Sequence, residues 1–386
     1  MTETRSRVVP LSTIGREWTR IGVTGFGGPP AHIALLRGLV VEREHWLDAR
    51  EFEDAIAACN LLPGPASTQL AIFCARRVGG PAGAVIGGLG FIAPAVVLML
   101  ALSELFLARS PPAWVRGAGA GAGAAVAAVA VSAGLGLARP SLRRARGGGA
   151  RPFRWFAYAV LGGASAALVG PYLVLVLVAC GLLELGLRSG GGAPLPGISW
   201  LPVAAASVGG IGALAWVSLK VGALSFGGGF VIVPLMQHDA VYTYHWMTAT
   251  GFLSAVALGQ VTPGPVVATV AAVGFAARGL AGGVLAAAIA FAPSFLFVLL
   301  GGGQFDRLRR NQRAQAFLDG AGPAAIGAIL GAAIPLAGAI VETWQVVVLA
   351  AAAVALLLAR RGVVSTLVVA GVAGATIALL GGPLPH

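Results

Sequence analysis

From about residue 80 onward, long apolar stretches alternate with short polar ones, and the pattern repeats from about residue 280. Ala82–Leu107, Ala118–Leu137, Phe156–Leu187 and Val346–Leu358 reach or approach the ~20 apolar residues that span a bilayer as a helix. The pattern predicts helices at roughly 80–107, 117–138, 153–169 and 172–187, then at roughly 279–303, 314–338, 344–359 and 363–381. The ~80 residues ahead of each set differ, because their apolar segments are shorter and are broken by Gly and Pro. Short strands of alternating polarity, which a membrane β-barrel needs, are absent from the sequence. The chain is expected to be an all-α polytopic membrane protein.

The broken front segments occur twice, 200 residues apart. GFGGPPAHIALL surrounds Phe26 and SFGGGFVIVPLM surrounds Phe226. Asn60 opens NLLPGP and Gln260 opens QVTPGP. His45-Trp46 recurs as His245-Trp246, Phe52 as Phe252, Gly22 as Gly222, Gly83 as Gly283, and Arg20 as Lys220. The chain divides accordingly into a first repeat at 1–187, a linker at 188–199 and a second repeat at 200–386.

Equivalent loops carry opposite charge bias. Arg139, Arg143, Arg144, Arg146, Arg151 and Arg154 are expected in one loop, whose counterpart near Glu342 has no basic residue. Arg307, Arg309, Arg310 and Arg313 fill another, whose counterpart holds only Arg109 and Arg116. Arg360 and Arg361 face an uncharged counterpart at Gly170-Pro171. If basic loops are cytoplasmic, the halves lie upside down to one another, as two homologous halves of an inverted repeat. Counting back puts the N-terminus outside if each front makes an odd number of crossings, whereas Arg5, Arg7, Arg16 and Arg20 favour the inside. Re-entrant helices at the breaks leave that count open.

Composition agrees with the pattern. Apolar residues make up 57% and charged ones only 10%, against about 25% charged in a soluble domain. The net charge of +12 sits largely in short loops between apolar helices, which fits membrane orientation better than nucleic-acid binding. Cys59, Cys74 and Cys180 show no metal or disulfide spacing and read as packing residues. No cofactor or metal is expected. The first twenty residues hold no 7–15-residue apolar stretch and are not expected to be a cleaved signal peptide.

The breaks carry the candidate chemistry. Pro63-Gly64-Pro65 and Pro263-Gly264-Pro265 stop one helix and start another. Freed backbone groups survive in a membrane only where protein or a watery cavity satisfies them. A helix start offers unpaired N–H groups and partial positive charge, which suits an oxyanion. Asn60, Ser67, Thr68 and Gln69 at the first break add side-chain donors, as do Gln260 and Thr269, with Thr262, at the second. Phe26-Gly27-Gly28 and Phe226-Gly227-Gly228 are candidates for further clusters of exposed N–H groups. Lys220, among mostly apolar neighbours, is the candidate site cation ahead of Arg20, with snorkelling to the interface as the alternative. His32 has apolar Ile232 as counterpart and reads as a packed or interfacial histidine. Glu53 and Asp54 are candidates to carry a coupling proton; the alternative makes them interface residues of an amphipathic segment with Glu51.

These motifs resemble the chromate ion transporter family in its long, two-domain form. The resemblance rests on FGGPPAHI at 26–33, Trp46 and Phe52, NLLPGPASTQLA at 60–71, Pro94, FGGGFVIVPL at 226–235 and QVTPGP at 260–265. It implies a secondary transporter that exports chromate from the bacterial cytoplasm across the inner membrane, driven by membrane potential or a proton gradient, and so gives chromate resistance. Sulfate, a similar tetrahedral dianion, is the natural competitor, and a homo-oligomer is compatible with the pattern. An intramembrane enzyme is the remoter reading, since HExxH and GxSxG are absent. The sequence also lacks a GxxxxGK[ST] loop for ATP.

Overall fold

The computed structural model of the chain describes residues 9–60, 62, 64–108, 110–147, 152–168, 173–188, 210–225, 232–301 and 311–385. No β-strand occurs among them. The first half runs α1 (Leu11–Thr24), α2 (Pro29–Arg37, continued by a π turn at Gly38–Arg43), α3 (Ala49–Cys59), α4 (Ala66–Phe106), α5 (Ala113–Gly147), α6 (Pro152–Leu168) and α7 (Leu173–Arg188). The second runs α8 (Ile211–Ala223), α9 (Ile232–Gln237, continued by a π turn at His238–Thr243), α10 (Ala249–Val261), α11 (Thr269–Gly301), α12 (Gln312–Gly338), α13 (Thr343–Ala353, continued by a π turn at Val354–Leu358) and α14 (Val363–Leu379). The duplication is visible in the backbone, since the π turns after α2 and α9 are each followed, two residues on, by a histidine with positive φ, His45 at 50° and His245 at 51°.

α4 spans 41 residues, about twice what a bilayer needs, but it folds on itself at Gly80, whose φ of 66° only glycine adopts readily. A Cβ on Gly83 would lie 2.6 Å from the Ala75 carbonyl oxygen, and one on Gly88 2.9 Å from Ile72. A short arm before Gly80 therefore runs antiparallel to the long arm after it. The short arm brings Arg77 into an ion pair with Glu51 at the start of α3. α3 and the short arm thus form a re-entrant hairpin with Pro-Gly-Pro at its tip. α1 and α2 form another: Arg43 pairs with Glu17 at 2.6 Å and Trp46 stacks on Trp18 at 6.3 Å, leaving the Phe-Gly-Gly segment at the tip. α11 repeats the fold at Gly279, where a Cβ on Gly283 would lie 2.8 Å from the Ala271 carbonyl oxygen.

Re-entrant hairpins return to the end they entered from and add no net crossing. The start of α1, tied by the Val9 N–H to the Val78 carbonyl at 3.0 Å, stays at the end where α3 begins. That end also holds Ser141 and Arg144 of α5. The start of α1, ahead of Arg16 and Arg20, and the arginine-rich end of α5 therefore share one side, which removes the conflict in the crossing count; Arg5 and Arg7 lie outside the described residues. The six arginines do not form one loop, however. α5 continues through Pro140 to Gly147 and carries Arg139, Arg143, Arg144 and Arg146, while Arg154 begins α6 and Arg151 lies outside the described residues. Arginine is a good helix former, and an exposed helix end tolerates the lost hydrogen bond at Pro140.

Equivalent helices run in opposite directions. The C-terminal end of α5 meets the N-terminal end of α12 around Gln315 and Asp319, and Arg188 at the end of α7 reaches Asp319 at 2.9 Å. The two halves are also exchanged. α6 and α7 of the first half pack on α12, with Gly162 against Ala324 and Gly320 against Cys180. α13 and α14 of the second half pack on α5, with Gly117 against Gly374 and the Gln345 Nε2 donating to the Ala120 carbonyl at 3.0 Å. Small residues let these backbones approach, which is how helices associate without a hydrophobic driving force. The main core joins both fronts to α5, and a smaller one lies between α6, α7 and α12.

Candidate functional site

The hairpin tips of the two halves meet. Gly64 and Gly264 hold the breaks with φ of 119° and 93°, angles that a side chain resists. A Cβ on Gly64 would lie 2.7 Å from Gln69 Nε2, 3.3 Å from the Gly222 carbonyl and 3.6 Å from Ser294 Oγ. One on Gly264 would lie 2.8 Å from Ala95 Cβ and 3.5 Å from the Gly22 carbonyl. Each break is thus seated on the opposite half, at the end of α8 or of α1 and against a long arm. Since Gly22 and Gly222 are repeat equivalents, the seating is reciprocal.

One chain of hydrogen bonds ties the tips together. The Gly264 N–H donates to the Gly25 carbonyl at 3.0 Å. His32, fully buried edge-on to Phe91, sets Nε2 3.0 Å from the same carbonyl and Nδ1 3.2 Å from Ser67 Oγ. A carbonyl only accepts, so in the neutral ring Nε2 carries the hydrogen and Nδ1 accepts from the Ser67 hydroxyl. His32 therefore clips the first helix start to the Phe-Gly-Gly tip that holds the second break. Its place beside FGGPP was the available signal, and the apolar Ile232 opposite hid it.

The helix starts themselves are uncapped. Neither Pro65 nor Pro265 contributes a side-chain hydrogen bond, and the first N–H groups of a helix have no intrahelical partner. Around them lie buried polar atoms without a partner: Thr68 Oγ1, Gln260 Nε2, Ser225 Oγ and Ser294 Oγ. Such groups are rare in proteins, and each calls for a reason. Ser294 was missed because a single serine in an apolar run carries no pattern, and Ser225, although it opens the SFGG motif, was missed because its counterpart is Gly25. Thr269 donates instead to the Val266 carbonyl at 2.7 Å, and Thr262 to the Gly259 carbonyl at 3.4 Å. Ser67, Thr68 and Gln69 are all buried, as are Gly64, Pro65, Pro263, Gly264 and Pro265. Phe26 and Gly27 are exposed, with Gly28 half-buried. Pro63, Phe226, Gly227 and Gly228 lie outside the described residues.

The remaining candidates lie apart from the tips or are already engaged. Lys220 forms an ion pair with Asp239 at 2.6 Å and sits 5.7 Å from the centre of the Trp216 ring. The lysine and aspartate act as one unit, and an anion would have to draw Lys220 from its partner. Asn60 is exposed on a cleft of about 760 Å³ that it shares with Glu53. Glu53 makes a long, solvent-facing pair with Arg37 at 3.4 Å, and Asp54 is half-buried.

Comparison with known proteins decides the family. The profile of the chromate transporter family matches the chain twice, over residues 12–185 and 212–379. The chain belongs to the chromate transporter family. It is 33% identical to a chromate transport protein of Cupriavidus metallidurans, covering 95% of this chain and 92% of that one. It is 30% identical to a chromate transport protein of Pseudomonas aeruginosa, over 82% and 79% of the two chains. A probable chromate transport protein of Synechococcus elongatus is 27% identical over 84% of each. No solved structure matches the chain. Within the family frame the protein is multi-pass, with four helices among the described residues long and apolar enough to cross a membrane.

Proposed function

We propose that this protein is a secondary transporter that exports chromate across the bacterial cytoplasmic membrane and so confers resistance. The observation that carries this reading is the reciprocal meeting of two inverted helix breaks, each with an uncapped helix start and buried polar atoms lacking partners. Transporters built from inverted repeats bind substrate between broken helices, with helix N-termini turned toward anionic groups. Chromate is a tetrahedral dianion, and the relatives named as chromate transport proteins align over most of the chain. The tips between Asn60 and Gln69 and between Gln260 and Thr269 are the proposed binding region, with the chain acting as a carrier and not as an enzyme.

The driving force follows from charge. One charge moved through 100 mV is worth ~2.3 kcal/mol, so a dianion leaving a negative interior gains roughly 4–5 kcal/mol per 100 mV. Export on the membrane potential needs no ATP. Sulfate shares the shape and charge of chromate and competes in this reading. The test is chromate efflux from loaded cells expressing the chain, with and without a protonophore. Efflux that collapses with the protonophore supports the reading. Efflux equal to that of cells lacking the protein overturns it.

A further inference from the structure

The two halves are not in the same state. In the second half, α10 lies against α5. A Cβ on Gly123 would be 3.0 Å from Leu253 Cβ, and one on Gly119 would be 2.8 Å from Ser254 Oγ. Most of α10 is buried, and the break that follows it is sealed. The equivalent pair in the first half is α3 and α12, and among the described residues these two make no comparable contact. The cleft of about 760 Å³ separates them instead, with Glu53, Ala57 and Asn60 on one wall and Asp319 and Pro323 on the other. It leads from the arginine-rich end to the residue just before the first break.

The repeat register says which contacts are missing. Ala124-Ala125-Val126 of α5 aligns with Ala324-Ala325-Ile326 of α12 at the same 200-residue offset. Leu253 on Gly123 therefore corresponds to Glu53 on Pro323, and Ser254 on Gly119 to Asp54 on Asp319. The charges across the cleft are complementary. Glu53 stands on the α3 wall, while Arg144 and Arg154 line the far side. The groups already paired there are Glu184, held by Arg188 at 2.8 Å and by Arg154 at 3.5 Å, and Asp319, held by Arg188 at 2.9 Å. On its own side Glu53 has the Arg37 pair, which is weak because both groups are largely solvated.

We propose that this cleft is an open gate at the arginine-rich end, and that it closes when α3 swings onto α12 into the arrangement that α10 already has on α5. Glu53 then leaves Arg37 for Arg144 or Arg154, and the α10–α5 contact opens in turn. An inverted repeat gives this exchange of states a low-cost route, because a pseudo-two-fold axis relates the closed form of one gate to that of the other. The inference rests on the reading of the protein as a carrier. It also gives Glu53 a part as a gate latch in place of a proton carrier.

Paired cysteines in the full chain test it. Leu253→Cys with Gly123→Cys places two thiols where a Cβ added at Gly123 would lie 3.0 Å from that of residue 253, so a shift of about half an ångström reaches disulfide range, whereas Glu53→Cys with Pro323→Cys places them across the open cleft. The first pair should cross-link readily in resting membranes. The second, which keeps the helix motion but loses the latch and so turns over more slowly, should cross-link only when chromate and a membrane potential drive turnover, and should then stop the remaining transport until reduced. Ala57→Cys gives a reading that does not depend on that pair. A membrane-impermeant thiol reagent added at the arginine-rich side should label it at rest and more slowly during turnover. If the 53/323 pair never cross-links and Ala57→Cys labels equally in both conditions while transport proceeds, the cleft is a fixed asymmetry and the proposal fails. If the 53/323 pair cross-links under a potential with another anion but never with chromate, the gate stands and the substrate reading falls.

Discussion

Replacing Thr68 by valine should move stability and affinity in opposite directions. Thr68 is fully buried in the first turn after the Pro-Gly-Pro break, and its hydroxyl has no hydrogen-bond partner within the protein. A buried hydroxyl without a partner costs about 1–3 kcal/mol. Valine keeps the branched shape and removes that cost, so the substrate-free protein should gain up to that amount. With an anion at the helix start the sign reverses. A hydrogen bond to a charged group is worth ~1.5–3 kcal/mol, so its loss weakens apparent chromate affinity by about ten- to a hundred-fold at 1.4 kcal/mol per tenfold. Thermal unfolding in detergent without substrate reads the first effect, and half-saturation of chromate uptake into inverted vesicles reads the second. A residue that only packs would leave affinity unchanged, whatever the valine does to stability. That outcome would remove Thr68 from the site.

Other substitutions probe the remaining parts. Lys220→Met alone should lower the amount of folded protein, since it strips Asp239 of its partner in a pair that is largely shielded from water. Adding Asp239→Asn should restore the protein level, and transport still absent from the double variant would assign Lys220 to the substrate. Gly64→Ala and Gly264→Ala should each cut transport with similar severity, because a Cβ would meet Gln69 at 2.7 Å or Ala95 at 2.8 Å and both sites have positive φ; a normal rate in both would show that the tips tolerate displacement. His32→Phe keeps the ring against Phe91 but removes both hydrogen bonds, so it should lose more transport than His32→Gln, and equal rates would reduce His32 to packing. Asn60→Ala and Gln260→Ala should both raise half-saturation if the halves share one site, whereas a defect in one alone would make the site asymmetric.

Much of the fold was legible because hydrophobic length and duplication are direct consequences of the bilayer. The long apolar helices fell within a few residues of their expected ranges, apart from α5, whose arginine-rich end looked like a loop. Charge bias in equivalent loops revealed the inversion, because sidedness depends on arginine placement more than on packing. The hairpin at Gly80 was harder to read, since a single glycine ahead of Pro81 looks like any kink until Gly83 is seen against Ala75. At the site, Pro-Gly-Pro marked the breaks correctly, but individual donors depend on which rotamer meets which neighbour. Thr269 turned its hydroxyl to its own first turn, and Lys220 found Asp239, a residue whose counterpart is Leu39. His32 and Ser294 act between segments far apart in sequence, and spacing along one chain carries no information about such meetings.

Chromate flux through the purified protein in liposomes, under a clamped and reversible membrane potential, tests the central claim most directly. Flux should saturate with chromate, follow the sign of the potential, fall when sulfate is added in excess, and be lost in the Gly64→Ala, Gly264→Ala double variant. Flux no greater than in protein-free liposomes, or flux unchanged in that double variant, would contradict the claim that chromate passes between the two meeting breaks.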